Sequence, residues 1–150
     1  MIIVASLLFI ASCATQRSQP DSQLVHYYQA ETQKPYDDVL AELEIAITEH
    51  NFRITGHSRV GKVIRERGSA NFPEFDTIQF CNLTHAKALL EMSPHAVIHM
   101  PCNVVTYQID GKTLIKTHLL PIDSDNDALN DFAAKMNQTL KDIVDFAAEQ

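Results

Sequence analysis

The chain has 150 residues, a length that fits one domain with a hydrophobic core of its own. Apolar residues make up 45% of it and charged residues 21%, a balance typical of a globular protein and unlike that of a disordered chain. The formal net charge of −7 opposes binding to nucleic acid or to an anionic lipid surface. We therefore expect a folded domain with no nucleic acid partner.

The first residues form an apolar run, Met1–Ala11, that predicts a signal peptide over residues 1–12. The run is too short to span a bilayer as a helix, which takes about 20 residues. Ile10-Ala11-Ser12-Cys13 then matches a lipobox: an aliphatic residue, two small residues and the cysteine that takes the lipid. No Lys or Arg precedes the run, which points to a start codon further upstream. The alternative is a buried N-terminal strand or helix with an incidental cysteine.

Residues 13–23 predict a lipidated Cys13 followed by a flexible tether. The segment Ala14–Gln23 (ATQRSQPDSQ) is polar and interrupted by a proline, as tethers are. By resemblance to other lipoproteins, Ala14 replaces the Asp that commonly retains them in the inner membrane. We expect an outer-membrane lipoprotein that faces the periplasm, with the membrane as a partner through the lipid anchor.

Residues 24–150 predict a single domain, and its first half alternates strands and helices. A first helix begins at Pro35 and ends at His50-Asn51, with Asn51 as a left-handed cap. Its apolar residues recur every three or four positions, so one stripe is buried. The other elements predicted in this half are a strand over Leu24–Ala30, a strand over Phe52–His57, and a short helix over Arg59–Arg67 that Ser58 caps and Gly68 ends.

The second half of the domain is predicted to contain one short helix, a hairpin turn and the remaining strands. Asn82 is expected to cap a helix over Leu83–Met92, and Ser93-Pro94 to stop it. Asp110-Gly111 predicts a tight hairpin turn, because both central residues of a type I′ turn need a positive φ. The predicted strands are Asp76–Cys81, Ala96–Met100, Asn103–Ile109 and Thr113–Leu120.

A long amphipathic helix closes the chain. Its apolar residues keep helical spacing from Leu129 to Ala147, and Ser124 or Asp125 is the expected cap. The stripe predicts core packing and not a cofactor site. The order of the elements predicts an α+β fold of two layers, a mostly antiparallel sheet with helices packed on one face.

The run from Tyr36 to Pro121 resembles the domain of unknown function 302 family. Four segments carry the resemblance in order: YDDVLAELEIAITEHNF, a short helix ending in RERG, FDTIQFCNLTHAKALLEMSP, and MPCNVVTYQIDG. Phe80-Cys81-Asn82 with His85-Ala86, and Pro101-Cys102, are most similar to its signature. The resemblance implies a β-α-β(n)-α arrangement like one half of a TATA-binding protein, and it makes a homodimer a reasonable partner state. It implies no DNA binding, since fold is not function.

With Cys13 assigned to lipid, the candidate ligand or redox site is Cys81, His85, His99 and Cys102. Cys81 ends a predicted strand just before a helix start, a position that favours the thiolate form. His85 follows within the first turn of that helix. Cys102 begins a strand after Pro101. We expect the two cysteines to meet at one edge of the sheet, with His85 facing the same pocket and His95 and His99 nearby.

Three interpretations of the two cysteines stay open. They are small buried apolar residues, or they form a disulfide in an oxidising periplasm, or they belong to a thiol or metal site, because thiolate and imidazole suit copper, zinc or haem iron. No CxxC, HExxH or CxxCH motif occurs, so no cofactor is required and a metal is one option among several. The remaining strand histidines, His26, His57 and His118, are interpreted as ordinary half-exposed residues.

The leading functional hypothesis is an accessory or binding module on a lipid anchor, with a small-molecule, thiol or metal ligand near Cys81, His85 and Cys102. One alternative is a thiol-redox enzyme that uses the Cys81/Cys102 pair. Another is a structural lipoprotein that associates with itself. The sequence assigns no catalytic residue, and the binding module is favoured over the enzyme.

Overall fold

The structure, a computed structural model, describes residues 26–149. The predicted signal peptide, the predicted lipidation site Cys13 and the predicted tether lie outside the described residues. The helices and strands are β1 (Tyr27–Thr32), α1 (Tyr36–Glu49), β2 (Arg53–Ser58), α2 (Val60–Glu66), β3 (Phe75–Cys81), α3 (Leu83–Met92), a 3₁₀ helix (Pro94–His99), β4 (Cys102–Ile109), β5 (Lys112–His118) and α4 (Asp127–Ala148).

The strands form one antiparallel sheet in the order β1-β5-β4-β3-β2, so β1 and β2 are its edges. Alternate residues of each strand point to one face, which α1 and α4 cover. That face carries the buried side chains Ile78, Phe80, Val104 and Ile115. The predicted α+β fold, a mostly antiparallel sheet with helices on one face, is confirmed.

The core lies between the sheet and the two long helices. Val39, Leu43 and Ile47 of α1 are fully buried, as the predicted stripe requires. In α4, the Asn137 side chain accepts a hydrogen bond from the Leu120 amide at 2.7 Å and donates one to the Leu120 carbonyl at 2.8 Å. This pair fixes α4 against the chain where it leaves β5.

Three local predictions are confirmed. Asn82 caps α3, since its Oδ1 accepts hydrogen bonds from the amides of Thr84 and His85. Asp110 and Gly111 both have a positive φ, 50° and 77°, at the β4–β5 turn. Asn51 has a φ of 60° just after α1. In each case the residue type at the position favours the observed conformation.

The strand predicted over Ala96–Met100 is wrong, because Pro94–His99 is a 3₁₀ helix. Pro94 presets the backbone for a first helical turn. A short apolar run does not by itself distinguish a strand from a helical turn. Within the run, Ala96 is buried but Ile98 is 81% exposed, so the run does not lie inside the sheet.

Two predicted helix caps are also wrong. Arg59, not Ser58, is the N-cap of α2, and no side chain bonds the free amides there. Asn126, not Ser124 or Asp125, caps α4 and accepts a hydrogen bond from the Leu129 amide at 3.1 Å. Ser124 instead lies 2.7 Å from Oδ1 of Asn130. The polar run offered several competent caps, and contacts inside the loop selected among them.

Candidate functional site

The four site residues predicted from the sequence lie around one small cavity, which we call the inner cavity. It lies where the end of β3 and the start of β4 meet α3, α4 and the 3₁₀ helix, and its volume is about 30 Å³. The side chains in its lining that carry sulfur or imidazole are Cys81, His85, His99, Met100, Cys102 and Met136. His95 is not part of this lining.

Strand register explains how the two cysteines approach each other. Cys102 pairs with Phe80 across β3 and β4, and Cys81 is the next residue after Phe80. Both cysteines are free thiols in this structure, so the disulfide, one of the three interpretations left open by the sequence, is not formed here. Burial, and secondarily the neighbouring Cys81, raise the pKa of the Cys102 thiol to about 11. Cys102 is therefore a protonated thiol near neutral pH.

His85 contributes an unusual polar group to the inner cavity. Its ring packs edge-on against Phe52 and Phe132, with centroid distances of 5.9 and 6.1 Å. The Nδ1 atom is buried and has no hydrogen-bond partner among residues 26–149. A buried polar atom without a partner costs roughly 1–3 kcal/mol. The lining of the inner cavity thus includes an imidazole with an unused nitrogen.

A second and larger cavity, the outer pocket, adjoins the inner one. Its volume is about 540 Å³, within the range of small-molecule sites. Both cavities are lined by His99, Met100, Cys102 and Leu120. The polar side chains of the outer pocket are His26, Gln79, His99, Asn103, His118 and Asp123, and its apolar wall includes Ile98, Leu119 and Leu140.

Sequence reasoning missed two residues of the outer pocket, His26 and His118. It treated them as ordinary strand residues, because they are 92 positions apart in the chain. The pairing of β1 with β5 brings them together: Tyr27 pairs with His118, and the Leu119 amide donates to the His26 carbonyl at 2.8 Å. Only the strand register carries this information.

The positions of the His, Cys, Asp and Glu side chains limit which metal ions the described residues could bind. Within the part of the chain that the structure describes, no three His, Cys, Asp or Glu side chains are grouped so that they could hold one ion. A structural zinc site needs four such ligands and a catalytic one three. The cluster therefore does not form a zinc site from these residue types alone.

The third strand histidine, His57, lies at the other end of β3, in a separate polar cluster. Its Nε2 is 2.6 Å from Oδ2 of Asp76, a carboxylate that is only 5% exposed. The Tyr36 hydroxyl lies 3.2 Å from Oδ1 of Asp76 and 2.8 Å from Oγ1 of Thr106. His57 is partly exposed, as predicted, but it is not an ordinary strand residue, because it is the partner of a buried carboxylate.

No helix among residues 26–149 is long and apolar enough to cross a membrane. The described domain is thus a two-layer α+β unit with paired cavities at one end of its sheet. The family model described as "Domain of unknown function DUF302" matches residues 28–147. This match covers well over half of the chain, and the chain belongs to that family.

A solved structure gives the same fold. It is the crystal structure of an uncharacterized conserved protein of this family from Bacillus stearothermophilus, with a TM-score of 0.71 and 21% sequence identity. The similarity covers 81% of this chain and 97% of that one. A search of curated proteins gave no match. At this identity the likeness shows the fold, and the family description assigns no activity.

Proposed function

We propose that the protein is a lipid-anchored, periplasmic binding module whose ligand occupies the outer pocket and contacts Cys102. The observation that carries the proposal is the junction of two cavities whose shared lining includes the half-buried Cys102 thiol. The larger cavity has an apolar wall and a few polar side chains, the combination typical of small-ligand sites. The imidazoles of His26, His99 and His118 would hold the polar part of the ligand.

The state of Cys102 disfavours this thiol as the attacking nucleophile of a redox pair and suits a role in binding. The thiolate is the nucleophile in disulfide exchange, and a pKa of about 11 leaves almost none of it at neutral pH. A protonated thiol next to Leu120 and Met100 instead behaves as a small, weakly polar contact. Binding by contact needs no ionisation of Cys102.

The lipid anchor is the second part of the proposal. Its support is the lipobox at Ile10-Ala11-Ser12-Cys13 and the polar segment after it. Replacing Cys13 with Ser should move the protein from the membrane fraction to the periplasmic extract. If the variant stays in the membrane fraction with its full N-terminus, the anchor is wrong, and the binding proposal is unaffected.

Ligand binding is tested by native mass spectrometry of the full chain, expressed with its signal peptide and purified without chelator. We expect a small-molecule mass bound to the wild-type protein. Asn103→Trp should abolish that mass, because Asn103 lines the outer pocket and an indole there would occupy it. Gln29→Trp is the matched control, because Gln29 is exposed on β1 and lies outside the pocket lining.

Two results would overturn the binding proposal. One is a wild-type protein that carries no small molecule after purification under these conditions. The other is a bound mass that Asn103→Trp retains as fully as Gln29→Trp does, since the ligand would then lie elsewhere.

A further inference from the structure

The inner cavity combines a very small volume with an unusual set of side chains. At about 30 Å³ it has room for one body of about the size of a water molecule and no organic ligand. Its lining contains two thiols and two thioethers, from Cys81, Cys102, Met100 and Met136. No Asp or Glu belongs to that lining. An occupant of this cavity is therefore about the size of a single atom, and among the side chains there that can bind a metal ion, sulfur ligands outnumber imidazoles.

We propose that the inner cavity binds one Cu(I) ion through the sulfur atoms of Cys81 and Cys102, with the Met100 thioether as a third ligand. The copper site rests on the proposed function, since it takes these cavities to be ligand sites. It extends that function by naming a monovalent soft ion as the inner ligand, next to the small molecule in the outer pocket.

The chemistry of the lining selects among metal ions. Thiolate and thioether ligands are soft and select Cu(I), whereas Ca²⁺ and Mg²⁺ require oxygen ligands. The amide oxygen of Asn82 is already occupied, because it accepts two backbone hydrogen bonds as the α3 cap. Hard cations therefore find no free side-chain oxygen in the lining.

Copper also fits the grouping of side chains, which does not provide the ligands of a zinc site. No three His, Cys, Asp or Glu side chains converge on one point within residues 26–149. Cu(I) accepts two or three ligands, and a methionine can supply one of them. Two cysteines with Met100 thus satisfy Cu(I) where Zn(II) would lack ligands.

His85 is the independent observation that favours a ligand at this place. Its buried Nδ1 has no hydrogen-bond partner in the described chain. An unpaired buried nitrogen calls for an explanation, and an occupant of the cavity would supply one. The two thiols would release their protons to solvent as the ion binds, and Cu(I) would keep its oxidation state. His85 is not one of the three proposed ligands and forms part of the wall around them.

The test is an anaerobic titration of the full chain, purified in detergent, against Cu(I) held by the chromogenic chelator bicinchoninate. All proteins carry Cys13→Ser, so that no thiol other than Cys81 and Cys102 is present. The expected result is withdrawal of one Cu(I) equivalent from the chelator. X-ray absorption of the loaded protein should show sulfur as the principal neighbour of copper. In a parallel titration against Zn(II) held by a chromogenic zinc chelator, the protein should withdraw no Zn(II).

Variants locate the ion in the inner cavity. Cys102→Ser and Cys81→Ser should each weaken Cu(I) binding by about 100-fold or more, since even outer-shell changes cost 10–100-fold. Met100→Leu, a substitution that keeps the volume, should weaken it by about tenfold. Met92→Leu is the matched control, because Met92 lies at the end of α3 outside the cavity lining, and it should have no effect. Circular dichroism of each variant checks that it is folded.

Three results would overturn the copper site. The first is that the protein withdraws no Cu(I) from the chelator. The second is that the folded Cys102→Ser and Met100→Leu variants bind Cu(I) as tightly as the protein without these substitutions, and the third is a copper environment without sulfur. If Cu(I) fails to bind while the Asn103-dependent small-molecule mass is present, the copper site falls and the proposed binding function stands. If both are absent, both fall.

Discussion

The two ends of strand β3 bury polar groups in opposite ways. At the Asp76 end, the carboxylate has His57 and Tyr36 as partners, and Thr106 completes the cluster. At the Cys81 end, two thiols and a histidine with an unpaired Nδ1 surround a cavity. Satisfied polar groups stabilise a fold, whereas unsatisfied ones reduce its stability and call for a functional explanation. The two ends of β3 thus differ as a structural cluster differs from the proposed ligand site.

Asp76→Ala should give the largest effect, a loss of about 2–5 kcal/mol in the free energy of unfolding. The substitution removes the buried carboxylate beside the His57 imidazole and one of the acceptors of the Tyr36 hydroxyl, which keeps its contacts with Thr106. The free energy of unfolding is measured by urea titration, with circular dichroism as the signal. Asp131→Ala, at an exposed position on α4, is the control and should stay within about 0.5 kcal/mol of wild type. An equally small effect of Asp76→Ala would contradict a structural role for this cluster.

Tyr36→Phe should have the next largest effect, a loss of about 1–3 kcal/mol, because it removes one partner of a buried carboxylate. The ring stays in place, so the packing on α1 is preserved. Tyr27→Phe, on a tyrosine that is 58% exposed, should change the unfolding free energy by less than about 0.5 kcal/mol. Equal effects of the two substitutions would show that the Tyr36 hydroxyl contributes nothing.

His85→Leu should behave in the opposite way from the substitutions at the Asp76 end. Removing an unpaired buried nitrogen while keeping apolar volume between Phe52 and Phe132 should leave stability unchanged or raise it by about 1 kcal/mol. Thermal unfolding of the wild type, His85→Leu and the exposed control His95→Leu measures this. A loss above about 2 kcal/mol would mean that His85 is a structural residue like those at the other end.

The last of these predictions concerns how the ionisation of the Cys102 thiol makes the stability of the protein depend on pH. Its pKa of about 11 in the folded chain lies above the ordinary 9.0, so the folded state favours the protonated thiol. The folding free energy that comes from keeping this thiol protonated is fully present below pH 9, and it is lost as the pH rises through about 11. Iodoacetamide labelling of a Cys13→Ser, Cys81→Ser variant should accelerate across the same range. Full-rate labelling at pH 8 would contradict the burial of this thiol.

Much of the fold could be predicted because its signals are local. The cap at Asn82, the turn at Asp110-Gly111 and the stripe of α4 each depend on residues within a few positions of one another. The 3₁₀ helix at Pro94–His99 was mistaken for a strand because a run of a few apolar residues suits either structure.

The candidate site was only partly predictable, because local patterns in the sequence reveal some of its residues and not others. Cys81, His85 and Cys102 stand at element ends that a sequence reveals, so their convergence on one cavity could be anticipated. Met136 reaches the cavity from α4, where its spacing is simply that of a core residue. The pairing of His57 with Asp76 depends on the β2–β3 register, and no local pattern encodes it.

The most direct test of the account is a crystal structure of the full chain purified from the cell envelope without chelator. The account predicts non-protein density in the outer pocket in contact with Cys102, while the surroundings of Asp76 hold protein atoms alone. Side chains of the protein itself filling both cavities at the Cys102 end, with no room left for a ligand, would contradict it.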